Sequence, residues 1–140
     1  MKRQLVSSAC FLLASMAFEV GAQDAPETIS VTSSAFDHHG MVPESNSAYG
    51  ENVSIDLTWA DLPEGTQQLA LICDDPKVVE IGMMEQPFVH WVMYNIPASA
   101  SGLPAGLPSD ATLEMEGLEG TVNGLNGLRR PGYFGPRPPA

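Results

Sequence analysis

Phe88-Val89-His90-Trp91-Val92-Met93-Tyr94-Asn95-Ile96-Pro97 is the stretch whose reading decides the fold. Its residues are mostly aromatic or β-branched, and it closes on a proline that cannot donate a ladder hydrogen bond. Regular alternation puts Phe88, His90, Val92, Tyr94 and Ile96 on one face and Val89, Trp91, Met93 and Asn95 on the other. Both faces are largely apolar, the pattern of a central strand covered on each side. His90 is the exception. An imidazole in an apolar stripe requires a hydrogen-bond partner or a ligand. The stretch by itself fits a structural histidine satisfied by a backbone carbonyl as well as it fits a binding one.

Upstream, Gln68 to Cys73 reads as an apolar strand running into Asp74-Asp75-Pro76. Two carboxylates at the end of a buried strand repel each other if both face inward, so alternation predicts that only one does. Cys73 reads as a small buried hydrophobe, with nothing nearby to argue for a thiolate nucleophile. Val53 to Trp59 alternates and predicts a half-buried strand, and Thr28 to Phe36 predicts another. Asp61-Leu62-Pro63-Glu64-Gly65-Thr66 is a tight connection. Asp37 to Gly50 has no period and is rich in turn residues, which predicts a loop; Asp37-His38-His39 within it lacks a further ligand at a metal-site spacing. Lys77 to Pro87 is a connector whose Met83-Met84 pair suits local packing, and Ala98 to Asp110 is a loop. Thr112 to Glu116 is ambiguous. No window carries a sustained apolar stripe at helical spacing, so the expected fold is mainly β with one or two helical turns.

The chain has 140 residues. Lys2 and Arg3 precede an apolar run from Leu5 through Val20, and Val20-Gly21-Ala22 supplies small residues for cleavage. Residues 1–22 therefore read as a secretory signal peptide, and residues 23–140 as one domain in a periplasmic or secreted protein. The run is too short, with Glu19 inside it, to be a good membrane span, so the processed protein is not expected to be an integral membrane protein. Cleavage also removes Cys10 and leaves Cys73 alone, so packing rather than an internal disulfide must hold the domain. Taking Lys2, Arg3 and Glu19 from the 6 basic and 17 acidic residues leaves 4 and 16. Such a surface repels nucleic-acid backbones, while one local pocket for a phosphate group remains compatible with it.

Near the C-terminus, Gly124-Leu125-Asn126 and Gly132-Tyr133-Phe134-Gly135-Pro136-Arg137-Pro138-Pro139 combine glycines that permit close backbone approach with stiffening prolines. Such a segment can build a rigid rim whose N–H groups face an anion, and it is read equally well as a proline-rich tail.

Together these pieces resemble the phosphatidylethanolamine-binding protein family, in its bacterial Raf-kinase-inhibitor-like branch. Four blocks match in order across 29–139: Ile29 to Phe36 with Gly40 and Pro43; Asn52 to Trp59 with Leu62 to Thr66; Asp75-Pro76 with His90-Trp91-Val92 and Asn95-Ile96-Pro97; and Gly124, Asn126, Gly132-Tyr133, Gly135-Pro136 and Pro138-Pro139. The resemblance implies a β-sandwich with few short helices and a small pocket for phosphate or a phospholipid headgroup. It assigns Asp75 and His90 to that pocket, Gly135 and Pro136 to its rim, and Tyr133 either to the pocket as a hydroxyl or to packing behind it. In that arrangement His90 gives an N–H to the anion while a carboxylate accepts from its other nitrogen and fixes the tautomer.

Three features depart from the family pattern. Lys77-Val78-Val79 replaces Asp-Ala-Pro after Asp75-Pro76, and Ile55-Asp56 stands where a proline pair is common. After Pro138-Pro139 the family continues with a strand carrying a second pocket histidine, then further β and helical structure, whereas this sequence stops at Ala140. The resemblance thus implies a domain lacking its C-terminal strand and helix: a fragment, with a truncated gene product as the alternative.

The function expected on these grounds is non-catalytic binding of a small anion, with no cofactor and no metal. The alternative is a protease-inhibitor-like or other protein-interaction module that uses the Ala98–Asp110 or Gly120–Pro131 loops. An enzyme is not expected. Asp75 and His90 form the one nearby acid–base pair, and no serine nucleophile elbow or metal triad completes a site.

Overall fold

The computed structural model describes residues 28–138. The signal peptide expected at 1–22 and Pro139 of the terminal motif lie outside them. The elements in order are β1 (Ser30–Thr32), a 3-10 turn (Glu44–Asn46), β2 (Leu57–Ala60), β3 (Gln68–Asp75), α1 (Lys77–Glu80), β4 (Phe88–Pro97), β5 (Gly102–Leu103) and β6 (Val122–Asn123). The strands form two three-stranded antiparallel sheets, ordered β1-β2-β5 and β3-β4-β6. Side chains from both sheets meet in one core. Trp91, Met93 and Ile96 of β4 and Leu103 of β5 are buried there with Leu113, Leu118 and Tyr133, and Leu57, Trp59, Leu69 and Leu71 pack against them. This is the expected mainly-β sandwich, with one turn of α-helix and one of 3-10.

β4 occupies the full predicted stretch and is the central strand of its sheet. Its side chains do not alternate regularly. Gln68 pairs with Pro97 and Asp75 with Phe88, so eight residues of β3 face ten of β4. One extra residue enters between Met93 and Ile96, where Asn95 takes φ 57°; the other lies between Trp91 and Val89, at His90. A bulge shifts every later side chain to the opposite face. Ile96 therefore joins Trp91 and Met93 in the core, rather than sharing a face with Val92 and Tyr94 as regular alternation predicts. The outer face is also more open than expected, with Tyr94 and its neighbour Ile72 on β3 both exposed.

The first two strands are shorter than their apolar alternation suggests, because side chains from elsewhere in the fold take backbone groups the ladder would use. After Thr32 the chain turns as Ser33 Oγ and Ser34 N donate to the Asp56 carboxylate at 3.1 and 2.7 Å. These bonds, those from Ser34 foremost, hold the Asp56 carboxyl below the usual carboxylate range. Before β2, the Val53 carbonyl accepts from Asn46 Nδ2 (2.9 Å), and Gly106 N and Leu107 N donate to the carbonyl and hydroxyl of Ser54. The ladder begins only at Leu57. Thr112 and Leu113, the ambiguous segment, bridge back to Thr121 and Val122 and bury Leu113 completely.

The centre of the β3-β4-β6 sheet is pinned by Asn123. Its Oδ1 accepts from Trp91 Nε1 (3.2 Å), and its Nδ2 donates to the carbonyls of Pro108 (3.1 Å) and Asp110 (2.8 Å). Asn123→Ala leaves one indole N–H and two carbonyls without their partner. It should cost about 2–4 kcal/mol, since each buried group deprived of its partner costs about 1–3, read as a fall in the denaturant midpoint at unchanged slope. On the same core wall, burial, with a smaller contribution from Cys73, pushes the Tyr133 phenol up to about 12. The unfolded chain loses that proton near pH 10, so it releases protons first and stability should fall as pH rises from about 10 towards 12. Melts between pH 9 and 12 should show this fall, and Tyr133→Phe should flatten it.

Candidate functional site

The bulge at His90 sits at the floor of a cavity of about 360 Å³. β3 ends beside it at Asp75, and Asp75 Oδ1 accepts from Lys77 N at 2.8 Å. Pro76 then starts α1 with a fixed φ of −72°. α1 and the turn after it form one wall, with Val78, Ile81, Met83 and Met84. The segment Phe134 to Pro138 supplies more of the lining through Phe134, Pro136, Arg137 and Pro138, and Phe88 and Leu128 complete it.

His90 is held on two sides. Phe134 N donates to the His90 carbonyl at 2.9 Å, and the Phe134 carbonyl lies 2.6 Å from His90 Nδ1. A carbonyl can only accept, so Nδ1 carries a proton and Nε2 is the position left for a ligand. No partner engages Nε2 among the described residues. Phe88 stands edge-on to the imidazole with ring centroids 4.8 Å apart, which fixes its plane. The tautomer is thus set by a backbone carbonyl and not by Asp75, whose carboxylate turns to the helix start.

Of the five residues the sequence singled out, Asp75, His90 and Pro136 line the cavity. Tyr133 and Gly135 stand behind its rim. Tyr133 Oη donates to the Asn46 carbonyl at 2.7 Å, and its ring meets Trp91 edge-on at 5.6 Å. Gly135 N donates to Asn52 Oδ1 at 2.7 Å, so that amide is already engaged. A Cβ on Gly135 would collide with the Asn46 carbonyl oxygen and come within 2.8 Å of Ser47 Cα, so only glycine permits this approach.

Three asparagines hold this rim; the sequence motifs included Asn52 and Asn126 but gave no role to them or to Asn46. Asn46 and Asn52 lie in and just after the unpatterned loop and engage Tyr133 and Gly135 as described, with Asn52 at φ 57°. Asn126 is buried and shapes the turn from 126 to 132. Its Oδ1 accepts from Leu128 N (2.9 Å) and Arg130 N (3.3 Å), and its Nδ2 donates to the Gly132 carbonyl (3.0 Å). The sequence signal was asparagine in segments rich in turn residues and without period, since asparagine tolerates left-handed backbone and bonds to nearby main chain.

The ionisable groups around the cavity have distinct states. Lys77 Nζ lies 2.6 Å from Glu80 Oε2 on an exposed face, and that bond raises the Lys77 pKa above its ordinary value. Arg137 lies 5.7 Å from the centroid of the Tyr49 ring, and the Tyr49 hydroxyl donates to the Pro138 carbonyl. Burial first, and then the charges of Asp74 and Asp75, push the Cys73 thiol up, so it is a protonated packing group. Among the described residues no cluster of three or more His, Cys, Asp or Glu side chains could hold a metal ion, and no helix is long and apolar enough to cross a membrane.

Comparison with known proteins places this arrangement. Residues 32–140 match the family model described as phosphatidylethanolamine-binding protein. The UPF0098 protein of Methanothermobacter thermautotrophicus is 37% identical over 106 residues, 76% of this chain and 64% of that protein. A phosphatidylethanolamine-binding protein homologue from Chlamydia trachomatis superposes with a TM-score of 0.66 at 29% identity, covering 81% of this chain and 68% of that one. Escherichia coli YbcL, described as a new member of the mammalian PEBP family, gives 0.64 at 29% identity, covering 79% and 67%. The chain thus spans about two thirds of the length of these relatives. The order of the matched blocks, the two-sheet fold and these likenesses agree: the chain belongs to the phosphatidylethanolamine-binding protein family.

Proposed function

We propose that this protein is an exported, non-catalytic binding protein for a small anion, phosphate or a phosphorylated small molecule such as a phospholipid headgroup, held at His90. The distribution of charge carries this reading. Residues 28–138 contain four Lys and Arg side chains and fourteen Asp and Glu. Two of the four cations, Lys77 and Arg137, line the His90 cavity, against one of the fourteen acids, Asp75. A domain that is acidic overall thus concentrates its positive charge at one concave place. Low-dielectric walls focus such a field onto a ligand.

The geometry supports the following roles. His90 Nε2 is the proposed contact, becoming an N–H donor when the ring takes up a proton while Nδ1 stays committed to the Phe134 carbonyl. Arg137 offers a planar, two-pronged donor, and the Lys77 ammonium, paired with Glu80, adds positive charge to the lining. Asp75 positions the α1 wall through the Lys77 amide, and Pro136 shapes the rim that Gly135 and Tyr133 anchor from behind. Export rests on the leader sequence at 1–22.

Selective binding to the folded state raises its stability, by about 2.7 kcal/mol at a ligand concentration of 100 Kd. Millimolar phosphate or phosphorylethanolamine should therefore raise the Tm of the protein, and His90→Ala should abolish the rise while the ligand-free melt stays cooperative. A wild-type melt indifferent to both ligands, or a rise that survives His90→Ala, overturns the reading.

A further inference from the structure

The proposed anion site leaves most of its cavity unused. A water molecule occupies about 30 Å³ of liquid, so 360 Å³ exceeds what a phosphate group fills. The remaining lining is apolar, and one wall of it comes from α1 and the turn that follows. Ile81, Met83 and Met84 on that wall are 57, 48 and 43% exposed, and Leu128, also in the lining, is 45% exposed. Large apolar side chains left open around one concavity mark a binding surface. The two methionines add a flexible, polarisable face that adapts to different shapes.

The polar groups of the α1 wall already have partners. Lys77 Nζ is paired with Glu80, and Asp75 Oδ1 holds the Lys77 amide. Resting on the anion reading of His90, we propose that the wall of Ile81, Met83 and Met84 selects a ligand whose phosphate carries an apolar substituent directly, an aryl or short alkyl phosphomonoester. Bare phosphate leaves the wall wet, and the ammonium of phosphorylethanolamine would lose hydration against it without a fully free carboxylate in return. An aryl group instead removes apolar surface from water on both sides of the contact.

Calorimetric titration of the full chain with inorganic phosphate, phosphorylethanolamine, phenyl phosphate and phenol tests this. Phenyl phosphate should bind at least tenfold more tightly than the other three. Ile81→Ser with Met84→Ser should remove most of that preference while leaving the Kd for inorganic phosphate within about twofold. Both side chains are about half exposed, so the fold does not depend on them. Equal affinity for the three phosphates, lost together in His90→Ala, overturns the apolar selection and leaves the anion site standing. Phenol binding as tightly as phenyl phosphate overturns the anion site itself, as does no binding by any phosphate. Sedimentation with phosphatidylcholine vesicles, abolished by the double substitution and without a phenyl phosphate preference, assigns the patch to a bilayer surface and overturns the proposal.

Discussion

β4 must place Trp91, Met93 and Ile96 in the core while carrying His90 to a cavity at the sheet's end, and regular two-residue alternation cannot do this. The solution is to spend ten residues of β4 on eight of β3. The bulge at Asn95 returns Ile96 to the core face, and the bulge at His90 leaves that residue outside the strand pairing, where Phe134 can grip it by both its carbonyl and its ring. Core and site therefore share one strand. The apolar burial that holds β4 also fixes the position from which the imidazole is presented.

The rim of the cavity is held by polar contacts where the core is held by apolar ones. Residues 133–138 form no strand; they are tied to the 46–52 loop by Tyr133 Oη, Gly135 N and the Pro136 carbonyl, which accepts from Ala48 N at 3.1 Å. A loop can hold a site in place only if its backbone groups are satisfied. Asn46, Asn52 and Asn126 supply the partners, each serving main-chain groups of its own loop or of the rim. Proline stiffens what they hold, so a segment without regular structure can still fix Arg137 in the lining of the cavity that His90 also lines.

Strand existence was legible in the sequence because aromatic and β-branched alternation is a local signal; Phe88–Pro97 lies where its pattern puts it. Parity along that strand was not, since a bulge depends on the partner's length, and nothing near Asn95 in the sequence announces how many residues β3 will offer. The ends of β1 and β2 were equally hidden, because the side chains that cut them short, Asp56 and Asn46, act across the fold. For the site, the residues alone marked His90 as the anomaly in an apolar stripe, and only the resemblance to a family grouped it with Asp75 and Pro136. The sequence could not show that Asp75 serves the Lys77 amide, or that the carbonyl of Phe134 takes the partner role expected of a carboxylate. Backbone acceptors have no sequence signature.

The two indoles of the chain are divided between the sheets. Trp59 lies half-buried on β2 with its Nε1 on the Ala100 carbonyl at 2.8 Å, while Trp91 is 1% exposed on β4 with Tyr133 edge-on to it. Each sheet thus carries its own optical label, one partly wetted and one dry. The emission of the dry indole should lie further to the blue, so a spectrum recorded as the domain comes apart separates loss of the site-bearing sheet from loss of the other without any added dye.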